Sequence, residues 1–213
     1  MSSDGKFFIG VIAVAILAVV GFVVFGGKSS EGDAVIDTTI GQKLGSDSAI
    51  VKIVEFGDFQ CPACRAAAAP LKQAYGNNQV NVQLIYRHIP LPIHPNADEA
   101  AQAAEAAGLQ GKFWEMYDLL FAEQDSWSTL ADPKAQLETY AQSLGLDLDK
   151  FRSDYGSSAV ADAIARDKDA SDQAGVSSTP TFFINGERII GAQSAEQWQE
   201  IIDRKIAETV PAS

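Results

Sequence analysis

The chain has 213 residues and carries 16 Lys and Arg residues against 28 Asp and Glu residues, a formal net charge of −12 at pH 7. This balance leaves no basic face to neutralise phosphate groups, so we expect no nucleic-acid partner. Two cysteines are too few for a scaffold held by several disulfides or for a four-cysteine zinc site. The length is sufficient for one domain with a substantial hydrophobic core.

Residues 7–27 form an uncharged and almost wholly apolar segment. A helix of about 20 apolar residues crosses the roughly 30 Å hydrocarbon core of a bilayer, so this segment predicts one transmembrane signal anchor. A cleaved signal peptide is the alternative, although its apolar core is usually only about 7–15 residues long. We divide the chain into a cytoplasmic stub with the anchor over residues 1–27, a linker over residues 28–45, and a folded domain over residues 46–213.

The folded domain is predicted to open with a strand, a helix and a second strand. Residues 50–59 are rich in β-branched and aromatic residues and apolar on both faces, which is typical of a central strand. Cys61 follows this strand directly, and Pro62 suits the first position of a helix. An alanine-rich helix over residues 63–75 and a strand over residues 80–88 complete a βαβ unit.

The next stretch is helical. Capping signals and apolar periodicity predict four helices within residues 97–174. Asn96 and Glu99 have the spacing of a capping box, which predicts that they cap the first of these helices.

The sheet then resumes as a hairpin. Residues 181–184 and 187–190 are predicted strands, and the dipeptide Asn185-Gly186 between them is typical of a type I′ turn. Ser194 and Gln197 are expected to cap a final helix.

The cysteine pair carries the most specific chemical signal. A thiol reacts as its thiolate, so the question is what lowers its pKa. If Cys61 is the N-cap and Pro62 the first helical residue, the sulfur of Cys61 faces the free amides of Ala63 and Cys64, which stabilise an anion. Cys64, one turn into the helix, is expected to be more buried. We therefore predict that Cys61 is the nucleophile and that Cys64 completes the exchange.

Two other interpretations of this pair stay open at the level of residues. A structural disulfide between Cys61 and Cys64 closes a very short loop and constrains little of the unfolded chain. A metal site would need His88 and His94 as further ligands, but their positions lack the spacing of a zinc-finger pair. We expect no metal and interpret each histidine as a surface or packing residue.

Four stretches resemble the DsbA-like thiol:disulfide oxidoreductases of the thioredoxin superfamily. The run VEFGDFQCPAC resembles the active-site signature of that family, and three later stretches resemble its other characteristic segments. In this sequence the four stretches are residues 54–64, 86–101, 110–127 and 176–193. The resemblance covers roughly residues 44–208. It implies an α/β, thioredoxin-like fold with a helical insertion at about residues 97–170, here preceded by one transmembrane helix.

The resemblance also implies roles for residues around the cysteines. Pro180 corresponds to a cis proline beside the cysteine pair, although a trans proline at a strand start is the expectation from the residues alone. Thr179 would offer its backbone to an extended substrate segment. Glu55 would be a buried acid that exchanges a proton with Cys64, and its alternative is an ordinary strand carboxylate. Catalytic roles thus fall to Cys61, Cys64, Pro180 and Glu55.

Pro62 and Ala63, between the cysteines, would contact substrate together with Thr179. This dipeptide lacks the histidine of the strongest oxidants in the family, so Cys61 is expected to be less acidic than theirs and the reduction potential stays open.

The implied function is extracytoplasmic protein thiol:disulfide exchange that favours net disulfide formation, with no cofactor besides the redox-active disulfide. Its substrates would be unfolded or folding secreted proteins that contain cysteines. A quinone-linked membrane protein of the DsbB or vitamin-K-epoxide-reductase type would reoxidise it. The protein would sit in the cell membrane as a single-pass protein with its catalytic domain outside, or be secreted after signal cleavage. Alternatives are a disulfide reductase or isomerase, a non-catalytic thioredoxin-fold binding module, and a Cys/His metal carrier.

Overall fold

A computed structural model of the chain describes residues 35–209. Residues 1–34 and 210–213 lie outside the described part, which therefore excludes the predicted anchor in residues 1–27 and residues 28–34 of the predicted linker, residues 28–45. Among the helices of the described residues, none is both long and apolar enough to cross a membrane.

The described residues form five strands and eight helices. The strands are β1 (Gln42–Leu44), β2 (Val51–Gly57), β3 (Val82–His88), β4 (Thr181–Ile184) and β5 (Glu187–Ile190). The helices are α1 (Pro62–Asn77), α2 (Ala97–Gly108), α3 (Phe113–Ala122), α4 (Gln124–Trp127), α5 (Lys134–Ser143), α6 (Leu148–Asp154), α7 (Ser158–Gln173) and α8 (Ala195–Thr209). Helices α2 to α7 all lie between β3 and β4, which confirms the α/β architecture with a helical insertion.

The five strands form one sheet in the order β1-β3-β2-β4-β5. Strands β2 and β3 are parallel, as the predicted βαβ unit requires, and the other neighbouring pairs are antiparallel. Gly57, at the end of β2, is a position where a side chain would not fit. A Cβ atom there would lie 2.7 Å from the ring of Tyr86 on β3.

Both faces of the sheet are covered by apolar residues. Strand residues such as Ile53 and Phe182 belong to the larger core cluster, which includes residues of α1, α3 and α8. Their neighbours Val54 and Phe183 form a smaller cluster on the opposite face, with Ala170 of α7 packed against it. The alternation of adjacent residues between the two clusters is the two-residue period of a strand. Burial on both faces explains why apolar residues of β2 lie on both sides of the sheet.

The predicted turn and the last predicted cap are confirmed. Asn185 and Gly186 have φ values of 48° and 95°, the positive angles of a type I′ turn. The amide of Gln197 donates to the hydroxyl of Ser194 at 3.2 Å, and the amide of Ser194 donates to the side-chain oxygen of Gln197 at 2.8 Å. These two bonds are the reciprocal pair of a capping box.

The predicted capping box at Asn96 is wrong. Asn96 occupies the N-cap of α2, but its side chain makes no capping hydrogen bond. Its amide nitrogen instead donates to the carbonyl oxygens of Trp127, Ser128 and Leu130, at 3.3, 3.1 and 2.9 Å. Asn96 is buried, and its bonds add to the Leu130 amide at the Trp127 oxygen and to the Gln60 side chain at the Ser128 oxygen, so Asn96 ties the start of α2 to the end of α4.

Candidate active site

The structure places the cysteine pair at the start of α1, directly after the central strand. Cys61 is the N-cap residue with extended backbone angles, φ −71° and ψ 123°, and Pro62 begins the helix. The Cys61 side chain makes no capping bond of ordinary geometry, but the first amides of the helix face its sulfur. Pro62 and Ala63 are exposed, whereas Cys61 is 7% and Cys64 0% exposed. Both cysteines are free thiols in this structure.

The pKa of Cys61 is lowered from 9.0 to about 5. The largest cause is a hydrogen bond from the Cys64 thiol, and the backbone amides of Cys64 and Ala63 contribute further. The helix amides that the sequence indicates are therefore present, but the partner cysteine matters more. With such a pKa, Cys61 is a thiolate at neutral pH and a good leaving group in disulfide exchange.

Cys64 has the opposite environment. Burial raises the pKa of its thiol well above 9.0, and the nearby Cys61 and Glu55 raise it further. A hydrogen bond from the backbone N–H of Asp58, 3.5 Å from the sulfur, acts in the other direction. The two thiols thus differ in both acidity and access, which separates an attacking thiolate from a protected second thiol.

The start of β4 lies beside Cys61. The peptide bond between Thr179 and Pro180 is cis, and the Cys61 sulfur lies 3.6 Å from the Thr179 carbonyl oxygen. The Thr179 hydroxyl also lowers the Cys61 pKa, although its oxygen makes no hydrogen bond of ordinary geometry. Pro180 is buried, and its carbonyl oxygen accepts from the Gly191 amide at 2.9 Å. The cis arrangement implied by the resemblance is therefore present, and the trans arrangement expected from the residues alone is wrong.

Glu55 is a buried acid on β2, only 2% exposed. The hydroxyl of Tyr117 donates to one of its oxygens at 3.1 Å, and the other oxygen has no hydrogen-bond partner among the described residues. Burial raises the pKa of Glu55 from 4.5 to about 8, and the bond from Tyr117 offsets part of that rise. A group that titrates near neutral pH in this position can hold or release a proton during exchange.

Asp58 is a residue of the site that sequence reasoning missed. Its carboxylate is fully buried and accepts three hydrogen bonds. The donors are the amide of Gln60 at 2.7 Å, the amide of Leu91 at 2.9 Å and the Nδ1 atom of His94 at 2.7 Å. An aspartate two residues before a loop amide has the spacing of an Asx turn, which is the one local signal that could have indicated it.

Two side-chain amides hold the active-site loop against the helical insertion. The Gln124 amide donates to the carbonyl oxygens of Phe59 and Cys61, at 2.7 and 3.2 Å. The side chain of Gln60 donates to the Ser128 carbonyl and accepts from the Asn96 amide, at 2.8 and 2.7 Å. The insertion therefore contributes directly to the position of the loop that carries Cys61.

Each histidine pairs with a carboxylate and not with the cysteines. His88 is buried with its Nε2 atom 2.9 Å from an oxygen of Glu105, and His94 pairs with Asp58. Within residues 35–209, no group of three or more His, Cys, Asp or Glu side chains has the arrangement of a metal site.

Comparison with known proteins places this geometry in a family. The sequence profile of the thioredoxin family, described as Thioredoxin, matches residues 38–204. A protein named Na(+)/H(+) antiporter NhaA 1 from Salinispora arenicola is 42% identical over 166 residues, which are 78% of this chain and 24% of that protein. The chain spans about a quarter of the length of the curated relatives it matches, so the antiport named there is not carried over.

Two solved structures show the same fold. A thioredoxin-like oxidoreductase from Silicibacter pomeroyi DSS-3 is 27% identical, with a TM-score of 0.66 over 79% of this chain and 93% of that chain. The alpha-DsbA1 protein of Wolbachia pipientis is 21% identical, with a TM-score of 0.69 over 82% of this chain and 94% of that chain. The chain belongs to the thioredoxin family, and its fold is that of the DsbA-like thiol:disulfide oxidoreductases.

Proposed function

We propose that this protein is a thiol:disulfide oxidoreductase that exchanges a Cys61–Cys64 disulfide with cysteine-containing substrate proteins and favours net disulfide formation. The observation that carries the proposal is the contrast between the two thiols at one helix start. The pKa of Cys61 is lowered to about 5, whereas that of Cys64 is raised well above 9.0.

In the oxidising direction, a substrate thiolate attacks the Cys61 sulfur of the protein disulfide. The Cys61–Cys64 bond breaks, its electron pair goes to Cys64, and Cys64 takes a proton, which we assign to Glu55. A second substrate thiolate then attacks the substrate sulfur of the mixed disulfide and Cys61 leaves as a thiolate. The substrate gains a disulfide, and the two electrons remain with the reduced cysteine pair.

The acidity of Cys61 supports the oxidising direction. A low pKa stabilises the reduced protein as a thiolate, which makes the disulfide form a better oxidant. A reductase or an isomerase of the same fold is the alternative, because the potential also depends on the stability of the disulfide form.

We assign substrate contact to four residues around Cys61, namely Pro62, Ala63, Thr179 and Pro180. They surround Cys61 from two sides: the exposed dipeptide opens α1, and Thr179 presents its carbonyl oxygen toward the sulfur. An extended substrate segment beside Thr179 would pair with backbone groups at the start of β4.

We further propose that the catalytic domain acts outside the cytoplasm, where protein disulfides persist. The apolar residues 7–27 support a single-pass anchor in the cell membrane, with cleavage and secretion as the alternative. The expected substrates are folding secreted proteins. Because each turnover leaves the cysteine pair reduced, a membrane oxidant is needed, and a quinone-linked protein of the DsbB or vitamin-K-epoxide-reductase type would supply it.

The test is catalysed oxidation of a reduced, unfolded protein whose activity returns only when its disulfides form. The oxidised full chain should restore that activity faster than the uncatalysed reaction, and the double variant Cys61→Ala, Cys64→Ala should not. The equilibrium of the cysteine pair with glutathione decides the direction. A potential near about −120 mV marks a strong oxidant, and one near about −270 mV would overturn the assignment in favour of a reductase.

A further inference from the structure

Asp58 makes hydrogen bonds to both cysteines through its backbone. Its N–H lies 3.5 Å from the Cys64 sulfur, and its carbonyl oxygen accepts from the Cys61 amide at 3.1 Å. The position of this one peptide segment therefore controls a hydrogen bond to the buried sulfur. Cys64 is 0% exposed, so no water shell replaces that bond when the sulfur carries charge.

The carboxylate of Asp58 holds this backbone in place from two directions. One donor, the Gln60 amide, belongs to the same loop, and the other two belong to the segment that follows β3. The Asp58 side chain is buried, and hydrogen bonds accepted by a carboxylate are charge-assisted, which makes them shorter and stronger than bonds between neutral groups. His94 is the one side chain among the three donors, and at 17% exposure it is the one that reaches toward solvent.

We propose that Asp58 and His94 form a positioning pair that sets the reactivity of Cys64 by aiming the Asp58 N–H at its sulfur. The inference rests on the proposed function, since it concerns the second thiol of the same exchange. It adds a step-specific role: the pair acts mainly on the steps in which Cys64 carries negative charge, and less on the first attack by Cys61.

The chemical step is the closure of the disulfide. Cys64 loses its proton, and its thiolate attacks the Cys61 sulfur of a mixed disulfide. The bond between Cys61 and the bound thiol breaks, the Cys61–Cys64 bond forms, and the bound group leaves as a thiolate. A donor aimed at Cys64 raises its thiolate fraction, and because nucleophilicity falls less steeply than the thiolate fraction rises, the step becomes faster.

The test follows the reaction of the reduced full-length protein with dithiobis(nitrobenzoate). We expect two steps, each of which releases one coloured thiolate. The first step is the attack by Cys61, and its rate rises with reagent concentration. The second is closure by Cys64, and its rate is independent of that concentration. In His94→Ala and Asp58→Asn we expect the second step to slow by about threefold or more relative to the first, as expected for a weakened hydrogen bond to a charged group.

His94→Asn is the conservative variant, because its side-chain amide can donate in place of Nδ1, and it should restore the second step. Asp167→Asn is the matched control. Asp167 is also a buried carboxylate that accepts a backbone amide, that of His88 at 3.0 Å, and its replacement should leave the second step unchanged.

An unchanged second step in His94→Ala, an equal slowing of both steps, or a failure of His94→Asn to restore the rate would overturn the proposal. If Asp58→Asn does not fold, the two His94 variants still decide it. The assay uses no protein substrate, so it can fail while catalysed protein oxidation succeeds, and the reverse also holds.

Discussion

The sulfur of Cys61 lies 3.6 Å from the carbonyl oxygen of Thr179, a residue 118 positions later in the chain. The sheet creates this contact because β2 and β4 are antiparallel neighbours, with Phe56 opposite Thr181. The end of β2, which leads into Cys61, therefore meets the start of β4 at one edge of the sheet. The whole helical insertion lies between the two segments in sequence, but β2 and β4 are still hydrogen-bonded neighbours in the sheet.

The first prediction concerns the division of labour between the cysteines. Cys64→Ala should accumulate covalent mixed disulfides with substrate proteins, because Cys61 can attack but no second thiol releases the complex. Cys61→Ala should give neither turnover nor trapping, since Cys64 is fully buried. Non-reducing electrophoresis measures the complexes, and reduction should dissolve them. Trapping by Cys61→Ala but not by Cys64→Ala would reverse the assignment.

The second prediction concerns the cause of the low Cys61 pKa. The Cys64 thiol is the largest contributor, so Cys64→Ala should raise the Cys61 pKa from about 5 toward 9.0. The value should stay below 9.0, because the amides at the start of α1 still stabilise the thiolate. Cys64→Ser keeps a donor at this position and serves as the control. The pH dependence of iodoacetamide alkylation measures both values, and equal values in the two variants would contradict the prediction.

The third prediction concerns Glu55 and the pH dependence of stability. Its pKa rises from 4.5 to about 8 in the folded protein, so between these values the unfolded chain has released a proton that the folded protein retains. The free energy of unfolding should therefore fall as pH rises through this window, by up to about 1.4 kcal/mol for each pH unit. Glu55→Gln should remove this decline and be the more stable protein above neutral pH.

Urea denaturation across this window measures the effect of Glu55. The double variant Cys61→Ala, Cys64→Ala is the suitable background, because neither thiol then titrates. A slope that persists in Glu55→Gln would show that another group causes it. In the protein with both cysteines, Glu55→Gln should also slow the protonation or deprotonation of Cys64, and with it turnover.

The fourth prediction concerns Asn96. Asn96→Ala removes one donor from the carbonyl oxygens of Trp127, Ser128 and Leu130. The first two keep another donor, so the cost comes mainly from the Leu130 oxygen and from the lost tie between α2 and α4. We expect a loss of about 1–3 kcal/mol in the free energy of unfolding, as for one buried acceptor left without a partner. Gln110→Ala is the control, because its bonds to the backbone of Asp147 are exposed and should matter little. A loss no larger than that of the control would contradict the prediction.

Local patterns in the sequence were sufficient for the elements that frame the site. The apolar run before Cys61, the proline at the first helical position, the Asn185-Gly186 turn and the cap at Ser194 each depend on residues a few positions apart. Two short helices, α4 and α6, were not predicted. They have only four and seven residues, too few for a hydrophobic period to stand out.

By itself, then, the sequence determined where the cysteine pair lies. The pair follows a central strand, with Cys61 at the N-cap of the helix and Cys64 within its first turn. Only the tertiary structure decided what surrounds the two sulfurs. Burial raises the pKa of Glu55 to about 8, the fold brings His94 to Asp58, and the side chain of Asn96 donates to carbonyl oxygens of the insertion and not to its own helix. These relationships join residues distant in the chain, and desolvation and hydrogen bonding between such residues are properties of the packed molecule that no local pattern encodes.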